Sequence, residues 1–297
     1  MVTFVGGRAR PGLHDVDWLK ATVVDIRHRP QRWPEVMATA RAQAELAAFL
    51  AGAAEHQDHG LAVAIMDARG RIRRQAVHTL GDVATQTVVV GRHPSVDAHL
   101  GAPDFALRQA LIVQTARRPD VIKYVDLRAA AGTSTVDGHP IESATLTLPV
   151  VLQVGGMVII IAGTPMPLLS TTAFIGSTTA PQPAAEFSSP PELFRYRLQW
   201  PDAVTEFRPG ATTLAKGVLI GRHRRCDFPR RVGMEMPGLS RIHAVILTID
   251  GEPYLADAGT TNGTEHEALG EMRIKHLEAG DVFLLGEKLR LSVHPPA

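Results

Sequence analysis

Two stretches of this 297-residue chain carry the same series of short motifs in the same order. Each series begins with an apolar run that ends in Gly-Arg-His, at Val88–His93 and again at Val218–His223. The matched segments pair Val88–Asp97 with Val218–Asp227, Ala110–Ile112 with Ala244–Ile246, Asp126–Thr133 with Asp257–Thr264, and Leu152–Ile160 with Leu277–Leu285. Because self-similarity on this scale indicates two copies of one folding unit, the chain is predicted to contain two homologous domains. We call them the first repeat, residues 60–164, and the second repeat, residues 193–297.

Both repeats consist of short β-branched and apolar runs separated by turn residues, which predicts a mainly β fold. The segment before them, residues 1–59, contains a stretch rich in Ala, Glu, Gln and Leu. It predicts a helix over about 34–55, with Val36, Ala40, Phe49 and Leu50 available for an apolar stripe. Residues 165–192 concentrate Pro, Ser, Thr and Ala, as is typical of an extended linker.

Composition excludes several classes of protein. The formal net charge of +1 disfavours a dedicated nucleic-acid binder. The single cysteine, Cys226, excludes an intrachain disulfide or a multi-cysteine zinc site, and it suits a cytoplasmic protein. The apolar stretch Pro149–Leu169 is long enough to suggest a membrane span, but its glycines, prolines and β-branched residues favour a buried strand instead. We therefore expect no membrane insertion.

Three short motifs follow one another in the second repeat. They are Gly221-Arg222 after an apolar run, Ser240-Arg241-Ile242-His243 before another, and the turn Thr260–Thr264. Together these motifs resemble the forkhead-associated (FHA) domain, a β-sandwich that binds phosphothreonine peptides through loops at one end. The resemblance implies that the chain consists of two FHA-type antiparallel β-sandwiches in tandem, with an N-terminal helical extension.

The resemblance assigns five residues to phosphopeptide binding. A phosphothreonine has nearly two negative charges and three acceptor oxygens, so its site needs a fixed cation and neutral donors. In family terms Arg222 and Ser240 contact the phosphate, and Arg241 adds a second basic contact. Thr261 contacts the phosphothreonine, including its γ-methyl group, and Asn262 holds the peptide backbone beside it.

Three further residues are expected to support the loops. The resemblance makes His243 a brace for the loop that carries the serine, and Gly221 and Gly263 are turn glycines whose backbone geometry other residues resist. Four arginines nearby form either a basic rim or an ordinary solvated loop: Arg224, Arg225, Arg230 and Arg231.

The first repeat keeps the scaffold and loses the site. Arg92 remains, but Ala106, Leu107 and Gln109 replace the serine, the second arginine and the histidine. In the turn, Ala130 and Ala131 replace Thr261 and Asn262. We therefore expect no phosphothreonine binding there, and a role in packing or docking.

Rival functions are less well supported. A hydrolase triad of Ser240, His243 and Asp257 lacks a nucleophile-presenting motif, so we expect no catalytic residues, and no spacing indicates a metal or a cofactor. The expected function is that of a non-catalytic phosphothreonine-binding adaptor in signalling by Ser/Thr kinases, with a kinase or its substrate as partner. The alternative is a scaffold subunit of a larger assembly, such as a bacterial secretion system. Self-association has two routes, through the N-terminal helix or through the linker, where Thr172 followed by Ile175 would dock if phosphorylated.

Overall fold

Strands dominate the fold, as the short apolar runs predict. The structure is a computed structural model that describes residues 33–80, 83–100, 105–128, 132–135, 138–165, 194–201, 203–228 and 238–296. The predicted linker and its Thr172, apart from residue 165, lie outside these ranges, and so do residues 1–32 of the N-terminal extension. Strands are numbered below in chain order, and the sheets in the order in which they stack.

The first repeat is a sandwich of two five-stranded sheets. Sheet 1 contains β2 (Ile72–Thr79), β1 (Gly60–Asp67), β10 (Met157–Thr164), β9 (Val150–Val154) and β7 (Ser134–Thr135), in that spatial order. Sheet 2 contains β4 (Ala98–His99), β3 (Thr85–Gly91), β5 (Ala110–Thr115), β6 (Arg118–Asp126) and β8 (Ser143–Thr147). All neighbouring strands are antiparallel except β3 and β4, which are parallel.

The second repeat is built in the same way. Sheet 3 contains β13 (Val218–Ile220), β14 (Ala244–Ile249), β15 (Glu252–Asp257) and β18 (Ile274–His276). Sheet 4 contains β12 (Ala203–Phe207), β11 (Arg195–Trp200), β20 (Leu289–His294), β19 (Val282–Leu285), β16 (Thr264–His266) and β17 (Gly270–Met272). The strand orders β2-β1-β10-β9-β7 and β12-β11-β20-β19-β16 correspond one to one, so the two repeats share one topology.

This correspondence corrects one part of the alignment of the repeats. The pairing of Leu152–Ile160 with Leu277–Leu285 is wrong, because the hairpin β9–β10 takes the place of the hairpin β19–β20. These hairpins turn at Gly155 and Gly286, whose φ angles of 52° and 64° favour glycine. The sequence comparison had instead matched Gly155 to Gly280, which precedes β19. The described part of the apolar stretch that suggested a membrane span, residues 149–165, forms this first hairpin, two strands rather than one.

The N-terminal helical stretch is interrupted. Helix α1 (Trp33–Met37) and helix α2 (Ala40–Glu55) meet at Thr39, whose extended backbone separates them. The Thr39 hydroxyl donates to the Val36 carbonyl (2.8 Å) and accepts from the Ala42 amide (3.2 Å), so it caps α2. Ala40 is exposed rather than part of the apolar stripe. Both helices cover the outer face of sheet 1 with these buried side chains: Trp33, Met37, Ala42, Leu46, Phe49, Leu50 and Ala53.

Sheets 2 and 3 pack face to face and join the repeats. Alternate residues of each strand point to opposite faces, so Val88 and Val90 lie inside the first sandwich while Val89 between them lies against the second repeat. The apolar side chains at this contact are Val89, Leu111, Val113 and Val125 from sheet 2, and Leu219, Val245, Leu247 and Ala256 from sheet 3. The protein is therefore a stack of four sheets with helices on one end.

Charged side chains surround this apolar contact. Five ion pairs among the described residues join the repeats: Arg117–Glu252 (2.9 Å), Arg118–Asp250 (3.1 Å), Arg128–Asp227 (2.9 Å), Lys216–Glu142 (3.4 Å) and Arg273–Asp97 (2.7 Å). The short helix α3 (Ala211–Lys216) also contributes, because the Ala215 carbonyl accepts from Lys123 Nζ (2.7 Å) and from the Ser143 hydroxyl (2.8 Å). No helix among the described residues is long and apolar enough to span a bilayer.

Lys123 makes the stability of this arrangement dependent on pH. Its side chain is buried at the contact, and burial lowers its pKa from 10.5 to about 8. Between these values the unfolded chain binds the proton and the folded chain does not, so stability rises with pH from about 8 to 10.5 and is lower below pH 8. Across this range the free energy of unfolding changes by about 3 kcal/mol. Lys123→Met removes the titrating group, so the melting temperature of the variant should rise less with pH than that of the wild type. Thermal unfolding of both proteins between pH 7.5 and 10 checks this, and parallel pH profiles would contradict it.

Candidate functional site

Three loops meet at one end of the second sandwich. One follows β13 (residues 221–228), one leads into β14 (238–243), and one is the turn between β15 and β16 (258–263). Because β13 and β15 both run antiparallel to β14, all three loops emerge at the same end of sheet 3. The motif residues chosen from the sequence therefore lie close together.

The first two loops are in direct backbone contact. The Arg222 amide donates to the Ser240 carbonyl (3.1 Å), and the His223 amide donates to the Arg241 carbonyl (2.9 Å). A Cβ at Gly221 would lie 2.4 Å from the Arg241 carbonyl oxygen, closer than packed atoms allow. Gly221 is thus required so that the backbone bearing Arg222 can approach the backbone bearing Ser240 and Arg241.

His243 joins the second loop to the third. Its ring is fully buried, with Nδ1 accepting from the Ser240 amide (3.1 Å) and Nε2 close to the Gly263 carbonyl (2.9 Å). Nδ1 accepts, so Nε2 carries the proton and donates to Gly263. Burial lowers the pKa of His243 below its usual value, which keeps the ring neutral. With both ring nitrogens bonded to backbone groups, His243 is not placed to accept a proton from the Ser240 hydroxyl as a catalytic base would.

The third loop is fixed by the carboxylate of Asp257, for which the sequence suggested no role beyond that of a member of a hydrolase triad. Asp257 accepts from the Thr260 amide, the Thr260 hydroxyl and the Thr264 hydroxyl, each at 2.7 Å. The signal was present in the repeat itself, since Asp126 accepts from the Thr133 hydroxyl at the matching place in the first repeat (2.7 Å). Asp257 therefore holds both ends of the turn that carries Thr261 and Asn262.

The turn presents polar groups to solvent. Thr261 and Asn262 are exposed, and the Asn262 side-chain amide donates to the Gly238 carbonyl (2.9 Å), which ties the turn to the second loop. Gly263 follows with a φ of 69°, in the left-handed region that favours glycine.

The first two loops are rich in arginine. Arg222 and Arg224 are exposed and Arg241 is half-buried, and none of the three forms an ion pair with any residue in the described ranges. Burial lowers the pKa of His223, and the nearby arginines Arg225, Arg241, Arg224 and Arg222 lower it further by repulsion. The side chain of Arg225 instead donates to the Arg128 carbonyl of the first repeat. Arg230 and Arg231 lie outside the described residues.

Cys226 lies beneath the site. Its thiol donates to the Arg241 carbonyl (3.1 Å), and burial raises its pKa to about 12. A thiol with so high a pKa is a poor nucleophile, so Cys226 supports the loop rather than reacting. Among the described residues, no group of three or more His, Cys, Asp or Glu side chains could hold a metal ion.

The corresponding loops of the first repeat make matching backbone hydrogen bonds, since the Arg92 and His93 amides donate to the Ala106 and Leu107 carbonyls (3.0 and 2.9 Å), but they carry different side chains. Gln109 takes the place of His243 and accepts from the Ala106 amide (3.3 Å), as the histidine does from Ser240. The Nε of Arg92 donates to the Phe105 carbonyl (3.2 Å). Ala130 and Ala131 lie outside the described residues. The described part of these loops thus offers no hydroxyl where Ser240 stands.

Because His243 braces the loops as a neutral side chain, the stability of the protein should fall at acid pH. The folded pKa of His243 lies below 6.5, so the unfolded chain takes up the proton first and stability falls as the pH drops below about 6.5. His243→Gln introduces the residue that the first repeat has at Gln109, keeps an acceptor for the Ser240 amide and does not titrate. Chemical denaturation at pH 7.5 and pH 5 should therefore show that the free energy of unfolding falls less in the variant than in the wild type as the pH is lowered. An unchanged difference between the two proteins would contradict a buried neutral histidine.

Comparison with known proteins finds a family match within the second repeat. The model of the FHA domain family matches residues 218–286, a span that begins with β13 and includes all three loops. Comparison with curated proteins found no match.

Several solved structures resemble about a third of the chain. EmbR of Mycobacterium tuberculosis, in complex with a low-affinity phosphopeptide, is 18% identical with a TM-score of 0.28, and the match covers 35% of this chain but only 25% of EmbR. The FHA domain of CT664 from Chlamydia trachomatis is 19% identical (TM-score 0.29; 35% of this chain and 96% of that one). The N-terminal FHA domain of Rad53p from S. cerevisiae, in complex with a phosphothreonine peptide, is 19% identical (TM-score 0.28; 34% and 93%). Residues 218–286, within the second repeat, therefore match the FHA domain family, and the rest of the chain lies outside that match.

Proposed function

We propose that this protein is a non-catalytic adaptor that binds phosphothreonine-containing segments of a partner protein. The observation that carries the proposal is that the backbone of the Arg222 loop bonds directly to the loop of Ser240 and Arg241, and that neither arginine forms an ion pair within the described part of the chain. Two cations left without carboxylates at one spot are suited to an anion from outside the molecule.

The phosphate is the group that fits these donors. It has three acceptor oxygens and nearly two negative charges, which match two guanidinium groups and one hydroxyl. The donors stand on two loops whose backbones bond to each other, and His243 holds the Ser240 amide, so little conformational freedom is lost when the ligand binds. Such preorganisation favours recognition of a small, charged group on a flexible peptide.

The third loop would contact the rest of the peptide. Thr261 is exposed next to the proposed phosphate position and supplies a methyl group as well as a hydroxyl. The Asn262 amide uses one N–H on the Gly238 carbonyl and retains its other N–H and its oxygen for a peptide backbone. The role in Ser/Thr-kinase signalling and the kinase or kinase substrate as partner follow from the family resemblance, and the cytoplasmic location follows from the single cysteine. All of these belong to the same proposal.

Removing Arg222 tests the phosphate contact. Arg222→Ala loses a charge-assisted hydrogen bond of about 1.5 to 3 kcal/mol, so affinity for phosphothreonine peptides should fall by about ten- to a hundredfold. The measurement is binding of a degenerate library with a fixed phosphothreonine to the full chain, compared with the unphosphorylated library. Arg290→Ala is the matched control, because Arg290 is also exposed but lies on sheet 4 and pairs with Glu267. Phosphate-independent binding, or none by the folded wild type, would overturn the proposal and favour the scaffold role.

The contact of Thr261 with the ligand predicts a preference between phosphoamino acids. A buried γ-methyl group contributes about 0.8 kcal/mol, so a phosphothreonine peptide should bind about threefold to fourfold more tightly than its phosphoserine counterpart. Titration of both peptides into the wild type and into Thr261→Ser measures the difference. Equal affinities for the wild type would show that the methyl group stays in solvent.

A further inference from the structure

The turn that carries Thr261 and Asn262 is held by the first repeat as well as by its own. Arg108, in the loop before β5, donates from Nε (3.0 Å) and Nη2 (2.6 Å) to the Gly259 carbonyl, two residues before Thr261. The Ser95 hydroxyl of the first repeat approaches the same oxygen (3.4 Å). One carbonyl at the start of the turn therefore accepts from two side chains of the other repeat.

A second contact of this kind reaches the loop of Arg222. The Arg225 side chain donates to the Arg128 carbonyl, and Arg128 in turn donates to the Arg225 carbonyl (3.0 Å) and to Asp227 (2.9 Å). Of the three loops that bear the proposed phosphopeptide contacts, two are thus bonded to the first repeat. These bonds lie within the loops themselves and not only at the sheets below them.

Arg108 is an unusual residue for its position. It is 8% exposed, and its counterpart in the second repeat is Ile242, an apolar residue of the same burial. Burial of a guanidinium group has a large desolvation cost, and an apolar side chain of similar volume commonly stabilises a protein equally well. Burial lowers the pKa of Arg108, and Asp257, which fixes the other side of the turn, is the charge that opposes this shift. The buried arginine is therefore better explained by what it holds than by stability.

We propose that the first repeat is a positioning domain for the second, and that Arg108 preorganises the turn 259–263 for the phosphothreonine segment. The proposal rests on the function proposed above and explains why a repeat without binding residues is retained beside the FHA domain. Arg108 does not reach the ligand. It limits the conformations of Thr261 and Asn262, so that the free protein already holds them in the arrangement that binds.

The test compares two bonds between the repeats in the full chain. Arg108→Met keeps an unbranched side chain and removes the donors, and Arg108→Lys restores one donor. Arg118→Ala is the matched control, because Arg118 also bonds the second repeat, at Asp250, but at the end of sheet 3 remote from the loops. For each protein, affinity is measured with the phosphothreonine peptide selected from the library, and amide hydrogen exchange is measured over residues 258–264 without peptide.

We expect Arg108→Met to weaken peptide binding about tenfold and to accelerate exchange in the turn, with Arg108→Lys intermediate. Arg118→Ala should leave both quantities within twofold of the wild type, although it lowers the melting temperature. Equal losses in Arg108→Met and Arg118→Ala would show a general loss of stability and overturn the positioning role. Wild-type affinity in Arg108→Met would overturn the positioning role and leave the proposed function intact. A wild type that binds no peptide would overturn both.

Discussion

Sheets 2 and 3 exclude water from each other's outer faces, with Val89 and Val125 on one side and Leu219 and Val245 on the other. A sandwich sheet commonly leaves one face in solvent, and its strands then alternate between apolar and polar residues. Here both faces of each sheet are covered, so residues on both faces of strands such as β3 and β5 are buried. Either repeat by itself would expose this apolar face to solvent, and the two repeats therefore form one body.

This contact also determines where the binding loops lie. The repeats meet through the same face of equivalent sheets, so their loops approach each other and matching positions make matching bonds. Arg225 bonds to the Arg128 carbonyl, and at the corresponding place Ser95 and Arg108 bond to the Gly259 carbonyl. The two sides have diverged in chemistry. One repeat retains the cations and the hydroxyl that suit a phosphate, and the other contributes side chains that hold its neighbour's loops.

Local motifs were enough to choose the loops of the candidate site. Arg222, Ser240 and Asn262 lie on three loops in mutual contact, as their spacing implied. The helix break at Thr39 was missed because the surrounding composition favours a helix throughout, and the break depends on one side chain that caps the next turn. The register of the last hairpin was missed because several Leu and Gly residues offer similar matches, and only the strand order decides between them.

The sequence by itself determined the repeat, the mainly β fold and the residue types of the candidate site, because these depend on periodicity and on side-chain chemistry within short segments. Tertiary structure alone decided that the two sandwiches share a buried face and that Arg108 contacts Gly259, which lies in the other repeat. No local pattern encodes that contact. Its bonds form only after two sheets pack at one particular angle and register, and an isolated arginine in a loop has the same sequence signal whether it faces solvent or a neighbouring domain.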